Sequence, residues 1–132
     1  MTDKDTLFLY RLKQADETLY DAELMLQNKL SPRSITNRAY YTMFYAVLAL
    51  FLRKDIHVKT SKHIGVISLF DREFIHTNRI EKKYSKMLHK IFNVRLKGDY
   101  KELIEISTEE AEEHIKLARE FLQNIKAYTE KN

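Results

Sequence analysis

Apolar residues recur along this chain at spacings of three and four. Phe8, Leu12, Ala15, Leu19, Ala22 and Leu26 make one seam, which predicts a helix of about six turns. The stretch "NKLSPRS" ends it. Ser31 has the chemistry of an N-cap and Pro32 that of a first helical residue, so a second helix is expected from Pro32 to about Lys54. Ile35, Ala39, Met43, Ala46 and Leu50 share one face of it. Tyr40, Phe44, Val47 and Phe51 widen that face until little solvent side is left, the pattern of a central helix. After the connection "KDIHVKTS", Thr60 or Ser61 is expected to cap a third, shorter helix with Ile64, Ile67, Leu69, Phe70 and Phe74. Thr77 or Asn78 is expected to cap a fourth, with the seam Ile80, Tyr84, Met87, Ile91 and Val94. Gly98 should end it near Leu96, leaving "DYKELIEI" as a loop or short turn. Ser107 and Glu110 have capping-box spacing ahead of a last seam, Ala111, Ile115, Ala118, Leu122 and Ile125. No alternating pattern survives beyond three or four residues. The expected fold is all-α, a bundle of about five helices, four long and one short.

Composition sharpens this without changing it. The 132 residues suit a single domain, 1–132, and two glycines and one proline leave few helix breakers. The absence of cysteine excludes a disulfide framework, a thiol nucleophile and any thiolate metal site. The N-terminus "MTDKDTLFLYRLK" has early acids and no apolar signal core. The longest apolar run, Met43 to Leu52, falls short of the ~20 residues a spanning helix needs. A cytoplasmic protein without a membrane segment is expected. Charge is unevenly spread. Residues 1–52 are neutral overall, 53–101 carry 13 Lys and Arg against 5 Asp and Glu, and 102–132 carry 4 against 8. A basic middle third is either one phosphate-facing surface or an ordinary solvated helix face.

Most chemistry-bearing motifs are missing, including a phosphate-binding Walker loop, a Gly-rich dinucleotide turn and His-Glu-x-x-His. Glu110 and His114 have the wrong spacing for a di-metal bundle and read as a capped, exposed helix start. His57, His63, His76 and His89 define no common helical face, so neither a metal nor a cofactor is expected. Two stretches remain. In "NRAYYTMFY", Asn37, Arg38 and Tyr41 share one side of the second helix, with Ser34 a turn before and Tyr45 a turn after. Phenols near the surface of such a helix need partners. They form the wall of a cleft for a base or phosphate, a polar layer between helices, or dimer packing. In "NVRLKGDYK", Arg95 and Lys97 end a basic helix before Gly98, Asp99 and Tyr100. Arg95 either holds a phosphate in a two-pronged fashion or neutralises the helix end and pairs with Asp99.

These residues together are familiar. "SPRSITNRAYYTMFYAVLALFLRK" resembles the second-helix signature of HEPN domains (higher eukaryotes and prokaryotes nucleotide-binding), in particular the stand-alone prokaryotic branch. The likeness continues through "KTSKHIGVISLFDREFI", with His63 and Gly65, then "RLKGDY" and "ISTEEAEEHIKLAREFLQNI". The resemblance implies an up-and-down bundle, a homodimer, and a nucleotidyltransferase partner in a toxin–antitoxin or defence pair. It further implies RNA or nucleotide binding in a dimer cleft, with Asn37, Arg38, Tyr41 and Lys97 as binding residues. Many members are metal-independent RNases that use an arginine, four to six intervening residues, and then a histidine. Here Arg95 holds the arginine's place, but after four intervening residues stands Tyr100. No arginine in the chain has a histidine at that spacing. Three functions follow: a binding module, an endoribonuclease toxin acting through Arg95, Asp99 and Tyr100, or a purely structural or regulatory homodimer.

Overall fold

The computed structural model describes residues 1–100 and 105–131, with side chains for 1–96 and 105–131. Five α-helices are present: α1 (Asp3–Gln27), α2 (Pro32–Arg53), α3 (His63–Phe70), α4 (Lys82–Tyr100) and α5 (Thr108–Lys131). A π-helical turn, Asp71–Ile75, continues α3. The described residues contain no strand. This is the all-α bundle that the seams predict. None of these helices is long and apolar enough to cross a membrane.

Helix starts follow local chemistry where a cap is free to act. Ser31 caps α2, its hydroxyl accepting the Ser34 N–H at 3.2 Å. Ser107 and Glu110 complete the expected capping box on α5, each side chain accepting the other's backbone N–H at 3.0–3.1 Å. Thr2 and Asp5 do the same for α1. The other two starts depart from expectation. Thr60 accepts the Lys62 N–H instead of capping a helix, and α3 begins only at His63, with no side-chain cap. Thr77 donates back to the Glu73 carbonyl and Asn78 turns left-handed, φ 60°, so α4 begins only at Lys82, and Ile80 is buried ahead of it. The helix also runs through Gly98 to Tyr100 rather than stopping near Leu96.

α2 is the centre. α1, α4 and α5 all pack on it, and 12 of its 22 side chains are buried. Ala15 and Ala22 of α1, Ala39, Ala46 and Ala49 of α2 and Ala111 and Ala118 of α5 are wholly buried, and small residues at such crossings let helix backbones approach closely. Tyr40, Phe51, Phe70, Phe74 and Phe121 fill the remaining space, none of them more than 2% exposed. Each such side chain stabilises the fold by roughly 1.5–3 kcal/mol. One apolar stripe of α2, through Tyr41, Tyr45, Leu48 and Leu52, is left half-buried. On α4 the buried set is Tyr84, Leu88, Ile91 and Phe92. Met87 and Val94, expected on the seam, are only half-buried.

His114 is not the exposed residue its acidic neighbours suggested. It is 2% exposed and its Nδ1 lies 2.8 Å from the Thr36 hydroxyl. Burial first, then the Lys90 charge, holds its pKa below the ordinary value, although Glu110 and Glu113 oppose this. In the unfolded chain the imidazole takes a proton near pH ~6.5, before the folded protein does. The stability it contributes is therefore present above that pH and is lost as pH falls below it. The melting temperature should drop between about pH 7.5 and about pH 5. His114→Asn, which keeps an amide facing Thr36 but cannot titrate, should drop less over the same range. Equal slopes for the two proteins would refute the assignment.

Candidate functional site

The first three turns of α2 and the far end of α4 meet. Arg95, four turns into α4, donates from Nε to the Asn37 Oδ1 at 3.0 Å and from Nη2 to the Tyr41 hydroxyl at 3.2 Å. Both acceptors are neutral, so these two bonds orient the guanidinium. Its central carbon lies 5.0 Å from the Tyr40 ring centre and 5.2 Å from that of Tyr41. Arg38 also sits 5.2 Å from the Tyr41 ring. Two guanidinium groups thus converge on one aromatic ring, each drawn by the ring's quadrupole. Asn37, Arg38, Tyr41 and Arg95 are all half-buried. The structure therefore brings together four of the residues singled out in the sequence. Lys97, Asp99 and Tyr100 lie outside the residues whose side chains are described.

Sequence periodicity missed the inner part of the site. Tyr40, placed on the apolar face by its spacing, is 0% exposed, but its hydroxyl has a partner that spacing does not reveal. Its hydroxyl lies 2.8 Å from the Nδ1 of His63, the first residue of α3. The imidazole stacks on Phe44 at 4.2 Å between ring centres and meets the Tyr41 ring edge-on at 5.8 Å. Burial pushes the Tyr40 phenol pKa well above its ordinary range, and the Arg95 charge offsets only part of this. Burial and then Arg95 hold His63 below its ordinary value. The pair is therefore a neutral phenol and a neutral imidazole at pH 7. Gly65 permits this placement of α3. A Cβ there would stand 2.5 Å from the Thr60 Cγ2, so a larger residue would require the Thr60 side chain to shift.

A second polar cluster ties the π-helical turn to α4. The Asp71 carboxylate accepts from the Ser85 hydroxyl at 2.7 Å and lies 2.6 Å from the His89 Nε2. Ser85 bonds to the carboxylate and not to the imidazole, so the three side chains do not form a nucleophile–base pair. Among the described residues no three His, Asp or Glu side chains converge as metal ligands would. A concavity of about 530 Å³ lined by His57, Lys59, Ser68 and Arg72 opens beside α3, separate from the Arg95 group.

Comparison with known proteins gives the context for this arrangement. The HEPN domain family model matches residues 8–128. A Thermotoga maritima protein named "UPF0332 protein" is 38% identical over 130 residues, covering 98% of this chain and 96% of its own. Two Methanocaldococcus jannaschii proteins named "Putative toxin" are 37% and 38% identical, covering 87% and 85% of this chain and 72% and 81% of theirs.

The Tyr40–His63 contact has a measurable signature. A buried phenol with a raised pKa contributes stability that is fully present below pH ~10, where unfolded tyrosine ionises, and is lost as pH rises above that value. Tyr40→Phe should lose less stability than the parent on passing from about pH 9 to about pH 11 in a denaturant-melt series. At neutral pH it should be less stable by about 1–3 kcal/mol, because the phenol's hydrogen-bond partner is left inside the protein. Parallel alkaline losses in the two proteins would show that Tyr40 ionises freely.

Proposed function

The chain belongs to the HEPN family, and from that premise we propose that it is an RNA- or nucleotide-binding module. In this reading it is the HEPN half of a HEPN–nucleotidyltransferase toxin–antitoxin or defence pair and acts in the cytoplasm as a homodimer. The observation that carries the proposal is the convergence of Arg38 and Arg95 on Tyr41, with Asn37 fixing Arg95. Arginine forks match the oxygens of a phosphate better than any other side chain. Tyr41 and Tyr45, with ring centres 5.7 Å apart and both half-buried, supply flat faces on which a base can stack. Lys82, Lys83, Lys86 and Lys90 are exposed on α4, the helix that also carries Arg95, and add positive charge to it. The toxin reading takes its support from the names of the Methanocaldococcus relatives. The dimer reading rests on the family resemblance, with Tyr41 and Tyr45 beside the second copy.

An endoribonuclease toxin acting without metal through Arg95, Asp99 and Tyr100 is the second reading, separable in the same assay. With a labelled single-stranded RNA in EDTA buffer, the protein should bind, and Arg95→Ala should weaken binding by roughly ten-fold or more, as loss of a charge-assisted contact predicts. The melting temperature of that variant controls for folding. Replacing Lys82, Lys83 and Lys86 with alanine should lower the slope of log affinity against log salt by about two. An unchanged slope would make those lysines a solvated face. Cleavage of the RNA that Arg95→Ala abolishes would make the site catalytic, and absence of binding would defeat the proposal.

Assembly is tested separately. Light scattering at micromolar concentration should give twice the chain mass, and Tyr45→Glu should halve it. A monomer across that concentration range would remove the homodimer from the proposal and leave the binding site in place.

A further inference from the structure

His63 is the polar group that the proposed site does not yet use, and it shares the site's aromatic floor. Tyr40 and Tyr41 each contact both His63 and Arg95. We propose that His63 is a ligand-contacting residue of the Arg95 site, presenting its Nε2–H as a neutral hydrogen-bond donor to the phosphate that the guanidinium attracts. This rests on the reading of the site as an RNA or nucleotide site, and adds to it a specific atom with a specific proton.

The proton's position follows from Tyr40. A wholly buried phenol must give its hydrogen to an acceptor. The acceptor at hand is the His63 Nδ1, 2.8 Å away. Around the phenol ring stand Phe44 and Phe92, which accept nothing comparable. If Nδ1 carried the proton instead, the phenol hydrogen would be turned into that apolar wall. The neutral imidazole therefore carries its proton on Nε2. One ring face is covered by Phe44 and Nδ1 is directed inward to Tyr40. The residue is nonetheless half-exposed, and Nε2 is the ring nitrogen that the Tyr40 bond leaves over for a ligand.

The charge state follows from three effects acting in one direction. Burial and the Arg95 charge both disfavour the imidazolium, and His63 opens α3, where the helix dipole also disfavours a cation. The group thus adds a directed donor beside an arginine without adding like charge. It is poorly placed as a general base. Nε2 already holds its proton, and giving Nδ1 that proton instead would break the Tyr40 bond. His63 does not replace the histidine whose place Tyr100 holds. It completes a phosphate-binding pair of arginine and neutral imidazole.

Two amide substitutions separate the roles. The glutamine amide reaches about where Nε2 lies, and the asparagine amide only about where Nδ1 lies. His63→Gln should keep affinity for a short single-stranded RNA within a few-fold, while His63→Asn should lose roughly ten-fold, with the melting temperature of each recorded. If Asn binds as the parent does, His63 only positions Tyr40 and the proposal is overturned. If both variants lose affinity or fail to fold, nitrogen NMR of histidine-labelled parent protein decides. The Nε2–H tautomer in the free protein, with an Nε2 shift on adding RNA, supports the proposal. The Nδ1–H tautomer, or an Nε2 resonance unmoved by RNA, overturns it. If the parent binds no RNA, the function proposed above fails, and inorganic phosphate becomes the probe. A saturable Nε2 shift that Arg95→Ala abolishes would keep His63 in an anion site, and no shift would remove it.

Discussion

The structure depends on one constraint: α2 must be covered over most of its circumference. Twelve of its residues are buried, and they leave one half-buried stripe along the helix, through Asn37, Arg38, Tyr41, Tyr45, Leu48 and Leu52. α1, α5 and α4 are all recruited to cover it. Wholly buried alanines on α1, α2 and α5 let those partners come close, and the large rings at Tyr40, Phe51, Phe70, Phe74 and Phe121 fill what the alanines leave. The N-terminal part of that stripe is where polar and aromatic groups gather. There Asn37, Arg38, Tyr41 and Tyr45 remain half-buried, and there the end of α4 delivers Arg95.

In the proposed function, that placement ties recognition to stability. Tyr40 belongs to the core by burial and to the site by its hydroxyl, which reaches His63. Its ring lies against Phe44 and Phe92 on the core side and under Arg95 on the other. A site built on such residues is rigid, because moving any of them would open the core. Pre-organisation of this kind lowers the ordering cost when a ligand binds. It also places the cations over low-dielectric aromatic surface, where their attraction for a phosphate is stronger than in water.

The long helices were legible because their seams are regular and their caps act as caps. Ser31 and the Ser107–Glu110 pair sit where the pattern places them. The starts of α3 and α4 were not legible, because Thr60, Thr77 and Asn78 spend their hydrogen bonds or backbone conformation elsewhere. Glycine misled in the same way. Gly98 lies within α4, while Lys29, Asp55 and Asn78 adopt the left-handed conformation near helix ends, at φ 56–60°. Of the site, the α2 half and Arg95 were readable from residue type and helical spacing. His63 was not: it meets Tyr40 across 23 residues of sequence, and no local periodicity encodes such a contact. His114 and Thr36, 78 residues apart, were hidden for the same reason.

The central claim is that nucleic acid lies on the aromatic floor under Arg95. Ultraviolet cross-linking of a single-stranded RNA, followed by mass spectrometry of the peptides, reads this contact directly. The account predicts that the dominant adducts fall on Tyr41 and Tyr45 and disappear in Arg95→Ala. Adducts confined to peptides outside α2, or unchanged by Arg95→Ala, would contradict it.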